Sequence, residues 1–323
     1  MTHPRFLPMA TILIVAAVPA AACHHSKPAP ATFPALEQAA RSRLVALSDG
    51  EIAGDPAKAA SLTTGEAAVQ ADATARATAG EIAAGAPTPF GFDVVSVDAH
   101  PLDGGATDFV AFEKVRSRAS GSYSNLVELY HRDGPTSPWR AAYAAWLEDN
   151  IDPPVLALNG NGNGHLVADD PGAMAMRYAV AVTVVSPTGQ LPAGSFEPGA
   201  YTLGEVVSAS EAISAQLPHG HRSRQWATRP GGATVALRAG TLVFATLQET
   251  ETVHFDVVGT SHYFLIQDPK RVSMGGLLAP GNYSDVRETK SVIIAVVVAP
   301  GRLPDVVGRS VVATSTDGQL API

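Results

Sequence analysis

Apolar positions near the start of the folded body recur at helical spacing. Leu36, Ala40, Leu44 and Leu47 fall on one face, which predicts a helix over Pro34–Ser48. Asp55 followed by Pro56 offers an N-cap and a proline at the first helical position, so a second helical stretch opens there. It pauses at Thr63-Thr64-Gly65 and runs on to about Ala83, and the Gly85 to Pro89 segment stops it. The pattern then changes to strands over Phe92–Ala99, Asp108–Arg118, Tyr123–Arg132 and Trp139–Leu147, separated by turns rich in glycine or proline.

The same order then recurs. A helix near Pro171–Val180 and a second over Leu203–Ala215 precede strands at Ala233–Arg238, Thr241–Phe255, Lys290–Ala299 and Val306–Thr316. Helices followed by an antiparallel meander are the α+β pattern, and its repetition predicts two helix-plus-meander modules, residues 34–166 and 167–323, each with its own core. Between them Asn159-Gly160-Asn161-Gly162-Asn163-Gly164 alternates residues that favour positive φ, which predicts tight turns in a loop or flexible hairpin at the edge of module one.

Upstream of the body the chain reads as an address. Residues 1–9 carry Arg5 and no acid, residues 10–22 are apolar apart from Thr11 and broken only by Pro19, and Ala20-Ala21-Ala22 precedes Cys23. That is the layout of a signal peptide, residues 1–22, with an apolar run shorter than the ~20 residues of a spanning helix. Val292 to Ala299 is strongly apolar as well, but short and rich in branched residues, which suits a buried strand. Residues 23–33, with His24-His25-Ser26-Lys27-Pro28-Ala29-Pro30, have the composition of a tether.

Composition narrows the partners. Charged residues make up 16% of the 323-residue chain and the formal net charge is -8, so no basic field exists for a nucleic-acid backbone, and nucleic acid is excluded as a partner. One cysteine precludes an intrachain disulfide and a thiolate zinc cage. Seventeen of the 22 basic residues are arginine and alanine is abundant, the usage of a high-GC bacterial genome.

Two resemblances follow from particular residues. Ala20-Ala21-Ala22-Cys23 resembles the bacterial lipobox, although Ala20 stands where leucine is usual. The resemblance implies diacylglyceryl transfer to the Cys23 thiol and cleavage before it; the same three alanines also satisfy an ordinary signal peptidase. Ser137-Pro138-Trp139-Arg140 resembles a strand of cystatin-like and nuclear-transport-factor-2-like domains. With Val235-Ala236-Leu237-Arg238, Ala239-Gly240 and Leu242-Val243-Phe244, the layout is similar to actinobacterial secreted proteins and lipoproteins that carry tandem modules of this kind. The resemblance spans residues 34 to 323 and implies two tandem cystatin-like modules and an exported location, with no activity to carry over. In the wider fold, catalytic members place acidic and histidine side chains inside a cone formed by the curved sheet and its helix.

Specific catalytic motifs are absent: the sequence holds no nucleophile elbow, phosphate loop, dinucleotide fingerprint or His-Glu-x-x-His zinc motif. Asn159 to Gly164 with His165 and Asp169-Asp170 offers oxygen ligands, but the alternation lacks acidic ligands and reads as an exposed turn. His219 and His221 would share a strand face as metal ligands without a visible third; the solvated start of a strand is the preferred reading. Ser261, His262, Asp256 and Asp268 superficially offer a hydrolase set, yet adjacent strand residues face opposite ways. Asp98 and His100 share a face and are the better acid–base pair, on a strand that is ending at Pro101. Of Trp139, Tyr143 and Trp146, the first two share strand parity and, with Ala141 between them, line either an aromatic pocket for an apolar ligand or carbohydrate or a packed core under the helix, with core preferred. Glu249, Glu251 and His254 read as solvent-facing charges at the end of a long strand.

The sequence therefore points to a non-enzymatic lipoprotein held through Cys23 on the outer face of the cytoplasmic membrane, binding a protein, a wall component or a small apolar ligand, with no cofactor and no metal. A cone-pocket enzyme using acid–base chemistry is the alternative. The interior of each cone discriminates: ionisable groups converging on an open pocket favour the enzyme, and a filled apolar interior favours binding or scaffolding.

Overall fold

The computed structural model describes residues 32–83, 85, 91–103, 105–148, 151–160, 162–167, 170–188, 190–204, 220–255, 264–266 and 281–320. The signal-like segment and Cys23 lie outside them, as do His24, His25, His219 and the Asp256, Ser261, His262 and Asp268 set.

Helix α1 (Phe33–Ile52) buries Leu36, Ala40, Leu44 and Leu47, the stripe that its spacing dictates. Asp55 caps α2 (Pro56–Leu62), its side chain accepting a hydrogen bond from the Lys58 backbone N–H at 3.0 Å. The pause at Thr63-Thr64 has a tertiary cause: Thr63 is extended and bridges to Ala141, and the Thr64 N–H donates to the Ala141 carbonyl at 2.8 Å. Gly65, at φ +56°, then starts α3 (Gly65–Ala83).

The strands of the first half are β1 (Phe92–Leu102), β2 (Asp108–Ser117), β3 (Tyr123–His131) and β4 (Arg140–Leu147). Helix α4 (Pro171–Thr188) and a π-helical turn (Ala200–Gly204) precede β5 (Gly220–Leu237), β6 (Gly240–Phe255), β7 (Phe264–Ile266), β8 (Gly281–Val298) and β9 (Asp305–Leu320). The second helix expected over Leu203–Ala215 lies mostly outside the described residues.

All these strands belong to one antiparallel sheet of order β1-β2-β3-β4-β9-β8-β6-β5, with β7 on β8. The last strand of each half meets the other where Trp146 pairs with Arg309 and Leu147 with Gly308. The expectation of two separately cored modules is not met, because the edge strands of the two meanders pair and share a core.

Residues 155–167, read as an edge loop, join the two outer strands. Gly164 donates its N–H to the Pro101 carbonyl at 2.8 Å and accepts from the Asp103 N–H at 3.0 Å, next to β1. On the other side the His165 carbonyl accepts from the Ala236 N–H and the Val167 N–H donates to the Thr234 carbonyl, on β5. The segment thereby covers one end of each outer strand, the Leu102 end of β1 and the Thr234–Leu237 end of β5.

Alternation gives the sheet two apolar faces. Inward positions, including Val110, Phe112, Val127, Leu129, Leu147, Leu242, Phe244 and Ile293, form one core drawn from both halves. Outward positions pack under helices: Phe109, Ala111 and Tyr130 under α1, and Val243, Leu247, Val292 and Ile294 under α4. Helix α3 straddles the junction. Gln70 donates from Nε2 to the Ser291 and Ser310 carbonyls at 3.1 and 3.3 Å, and Glu66 accepts from the Ser291 hydroxyl at 2.6 Å and pairs with Arg229 at 2.9 Å.

Candidate functional site

Between α1, α3 and the outward face of the sheet lies a cavity of about 270 Å³. Leu44, Leu47, Ala71, Phe92, Leu126, Trp146 and Val312 supply apolar wall, and Arg43, Glu51 and Glu128 supply the ionisable groups. Ser310 and Val312 come from β9, so the second half of the chain completes the cavity of the first.

Arg43 lies on the apolar stripe of α1 and is buried with Glu128. Its Nη1 reaches both Glu128 oxygens at 2.7 and 2.6 Å, and its Nε donates to the Leu62 carbonyl at 3.0 Å. Burial alone disfavours the Arg43 cation; the Glu128 carboxylate, the largest opposing influence, favours it, and the pKa is raised. Nη2 of Arg43 is buried without a hydrogen-bond partner.

Behind this pair, the Tyr130 hydroxyl contacts Glu113 Oε1 at 2.8 Å and also Glu128 Oε2. One phenolic proton serves one carboxylate, so a carboxyl must supply the other proton. Burial and the Glu128 charge push the Glu113 pKa well above the usual carboxylate range, which makes Glu113 the protonated member. The buried group is then electrically balanced: Arg43 against Glu128, with Glu113 and Tyr130 neutral.

Glu51, two turns beyond Arg43, differs from these. Among the described residues no hydrogen bond or ion pair holds its carboxylate. Burial pushes its pKa up to about 7, with Arg43 pulling it down and Glu128 pushing it up. A carboxyl that titrates near neutrality beside an apolar cavity can hold a cation or exchange a proton with a bound molecule.

Sequence reasoning missed all five of these residues. The available signals were charges at core positions: Arg43 inside the Leu36–Leu47 stripe, and Glu113 following Phe109 and Ala111 on one strand face.

The aromatic trio divides differently from its sequence parity. The β3–β4 register shifts where Leu129 pairs with Tyr143 and Tyr130 with Ala141. The extra residue, Ala142, reverses the alternation. Trp139 therefore packs outward, edge-on to Phe109 at 4.7 Å between ring centroids, while Tyr143 turns inward against Phe244 at 5.9 Å. Trp146 lines the cavity, edge-on to Phe92 at 6.4 Å.

Asp98 and His100 do meet, with Nε2 to Oδ1 at 2.9 Å, but the Asp98 side chain is 68% exposed and neither residue lines the cavity. Glu249 and Glu251 are not solvent-facing. Glu249 lies on the face of β6 that carries Leu247 under α4; it is buried and pairs with Arg224 at 2.9 Å, and Glu251 pairs with Lys290 at 2.6 Å. His254 is half-exposed and pairs with Asp285. Among the described residues no group of three or more His, Cys, Asp or Glu side chains is arranged to hold a metal ion, and no helix is long and apolar enough to cross a membrane.

No family model, curated protein or solved structure matches the chain.

Proposed function

We propose that this chain is an exported lipoprotein, anchored through Cys23, that holds a small and largely apolar ligand in the cavity beneath α1. The observation that carries the reading is the cavity's lining, in which the apolar Leu44, Leu47, Phe92, Leu126 and Trp146 are joined by the ionisable Arg43, Glu51 and Glu128. Binding pockets of this kind combine broad apolar contact with a few converging polar groups. At about 270 Å³ the space is just below the range for drug-sized ligands, so the ligand is a small molecule and not a chain segment.

The body is read as two cystatin-like units fused through their last strands. Support comes from the strand order, in which four strands of each half run from an outer edge to the β4–β9 junction. Under α4 the corresponding face is filled by Tyr178, Phe196 and Val182, so the first unit carries the binding space and the second serves as wall and support.

Isothermal titration of 2-phenylethanol into the mature chain tests the cavity. Ala71 is buried on its wall, and Ala71→Leu adds bulk there. One saturable site in the wild type, lost in Ala71→Leu, supports the reading; binding unchanged in the variant overturns it, as does the absence of saturable binding by the alcohol and by its ammonium and carboxylate analogues alike.

Glu51 favours a second reading, in which the bound molecule is a substrate and this carboxyl transfers a proton. Turnover with a bell-shaped or sigmoidal pH profile centred near 7 and abolished in Glu51→Gln distinguishes it from simple binding.

A further inference from the structure

The charges that face the cavity are few. Arg43 on α1 and Glu128 on β3 are paired with each other, and Glu51 is the remaining ionisable group in the lining. Among the described residues the other elements in the lining contribute no charge: Gln70 and Thr74 come from α3, Trp146 from β4, and Ser310 and Val312 from β9. Glu113 and Tyr130 stand behind Glu128 and are engaged with it. An ionised Glu51 therefore leaves the space with one uncompensated negative charge, inside walls that are mostly apolar.

We propose that the cavity selects a small organic monocation with an apolar body, an alkyl- or arylalkylamine, whose ammonium group is held against Glu51. This rests on the ligand-binding reading above and specifies its ligand class. An ammonium supplies the counter-charge that Glu51 lacks and the hydrogen-bond donors that its carboxylate can accept. The body of the amine occupies the wall formed by Leu44, Leu47, Phe92 and Leu126. Trp146 adds an aromatic side chain to the wall that receives this body. A carboxylate ligand is the rival, since Arg43 Nη2 is a donor without a partner. Arg43 is already neutralised by Glu128 at 2.6 Å, however, and a second anion would bring Glu51 and Glu128 a like-charged neighbour.

Glu51 must be ionised for the pairing, so binding strengthens as pH rises through its pKa of about 7 and levels off above it. Between about pH 6 and about pH 8 the dissociation constant should fall roughly tenfold, as one linked proton requires.

The test titrates the mature chain with three probes that share a phenylethyl body: 2-phenylethylammonium, 2-phenylethanol and 3-phenylpropionate. At about pH 8 the ammonium should bind at least about tenfold tighter than the alcohol, and Glu51→Gln should remove that preference while leaving alcohol binding in place. The pH profile of the unmutated chain gives the same answer without a variant. Equal or tighter binding of the alcohol or the carboxylate, or an ammonium affinity unchanged in Glu51→Gln, overturns the cation assignment and leaves the cavity reading standing. Failure of all three probes to bind overturns both.

Discussion

Nη1 of Arg43 lies 2.6 Å from Glu128 Oε2, with 4% and 1% of the two side chains exposed. The pair ties α1 to the middle of the sheet and forms the polar end of the cavity. Removing one partner leaves a buried charge without compensation, whereas removing both costs much less. Arg43→Met should therefore destabilise the protein by about 3–5 kcal/mol in urea unfolding, and adding Glu128→Leu should recover a large part of that loss. A double variant no more stable than Arg43→Met would show that the pair does not act as a unit.

Glu51 gives stability a pH dependence with an unusual sign. Its pKa is 4.5 as a free side chain and about 7 in the fold, so the folded state binds more protons between those values. Stability contributed by this group is complete below about pH 4.5, declines as pH rises and is fully lost above about pH 7. Because Glu51 keeps part of its surface in water, the decline is less than the ~1.4 kcal/mol per pH unit of a sealed group. Urea midpoints for Glu51→Gln should lack this component and exceed those of the wild type above about pH 7; identical pH profiles would refute the assignment.

Tyr143 connects the halves through the inside of the sheet. Its hydroxyl accepts from the Gly232 N–H at 2.6 Å, at the irregularity between Thr228 and Gly232 in β5. Tyr143→Phe leaves that buried donor unsatisfied, an expected loss of about 1–3 kcal/mol. Since one core spans both halves, fluorescence and far-UV circular dichroism should report the same single transition, shifted together. Two separable transitions would contradict the shared core.

The helices and strands were legible because their signals are local. The Leu36–Leu47 stripe, the Asp55-Pro56 start and the alternation of β2 and β6 each require only a few neighbouring residues. The union of the halves was not legible, since it depends on Trp146 and Leu147 finding Arg309 and Gly308, pairs about half the chain apart. Tyr143 was misassigned for a related reason: a bulge at Ala142 leaves no mark in period-two parity, yet it reverses every later side chain of the strand. A charge near a strand end is normally exposed, but Glu249 shares the α4-facing side of β6 with Leu247 and meets Arg224 there, so it is buried. The cavity residues were the least accessible of all. Arg43, Glu113 and Glu128 look like surface charges until α1 is laid across β2 and β3.

The proposed anchor has its own test. Diacylglyceryl transfer needs the thiol, so Cys23→Ser should abolish lipidation and release the folded body from the membrane fraction. Mass spectrometry of the mature N-terminus should find acylated Cys23 in the wild type. An unmodified Cys23 on a freely soluble protein would indicate ordinary secretion, and retention of Met1 with residues 10–22 embedded would exclude both routes.

The central claim is that the space beneath α1 is where the ligand resides. A crystal structure of the mature chain soaked with 2-phenylethylammonium at about pH 8 examines it most directly. The account predicts electron density for the ring between Leu47 and Trp146, with the ammonium nitrogen within hydrogen-bond distance of the Glu51 carboxylate. A ring bound elsewhere, or a cavity filled by its own side chains while titration shows saturable binding, would contradict it.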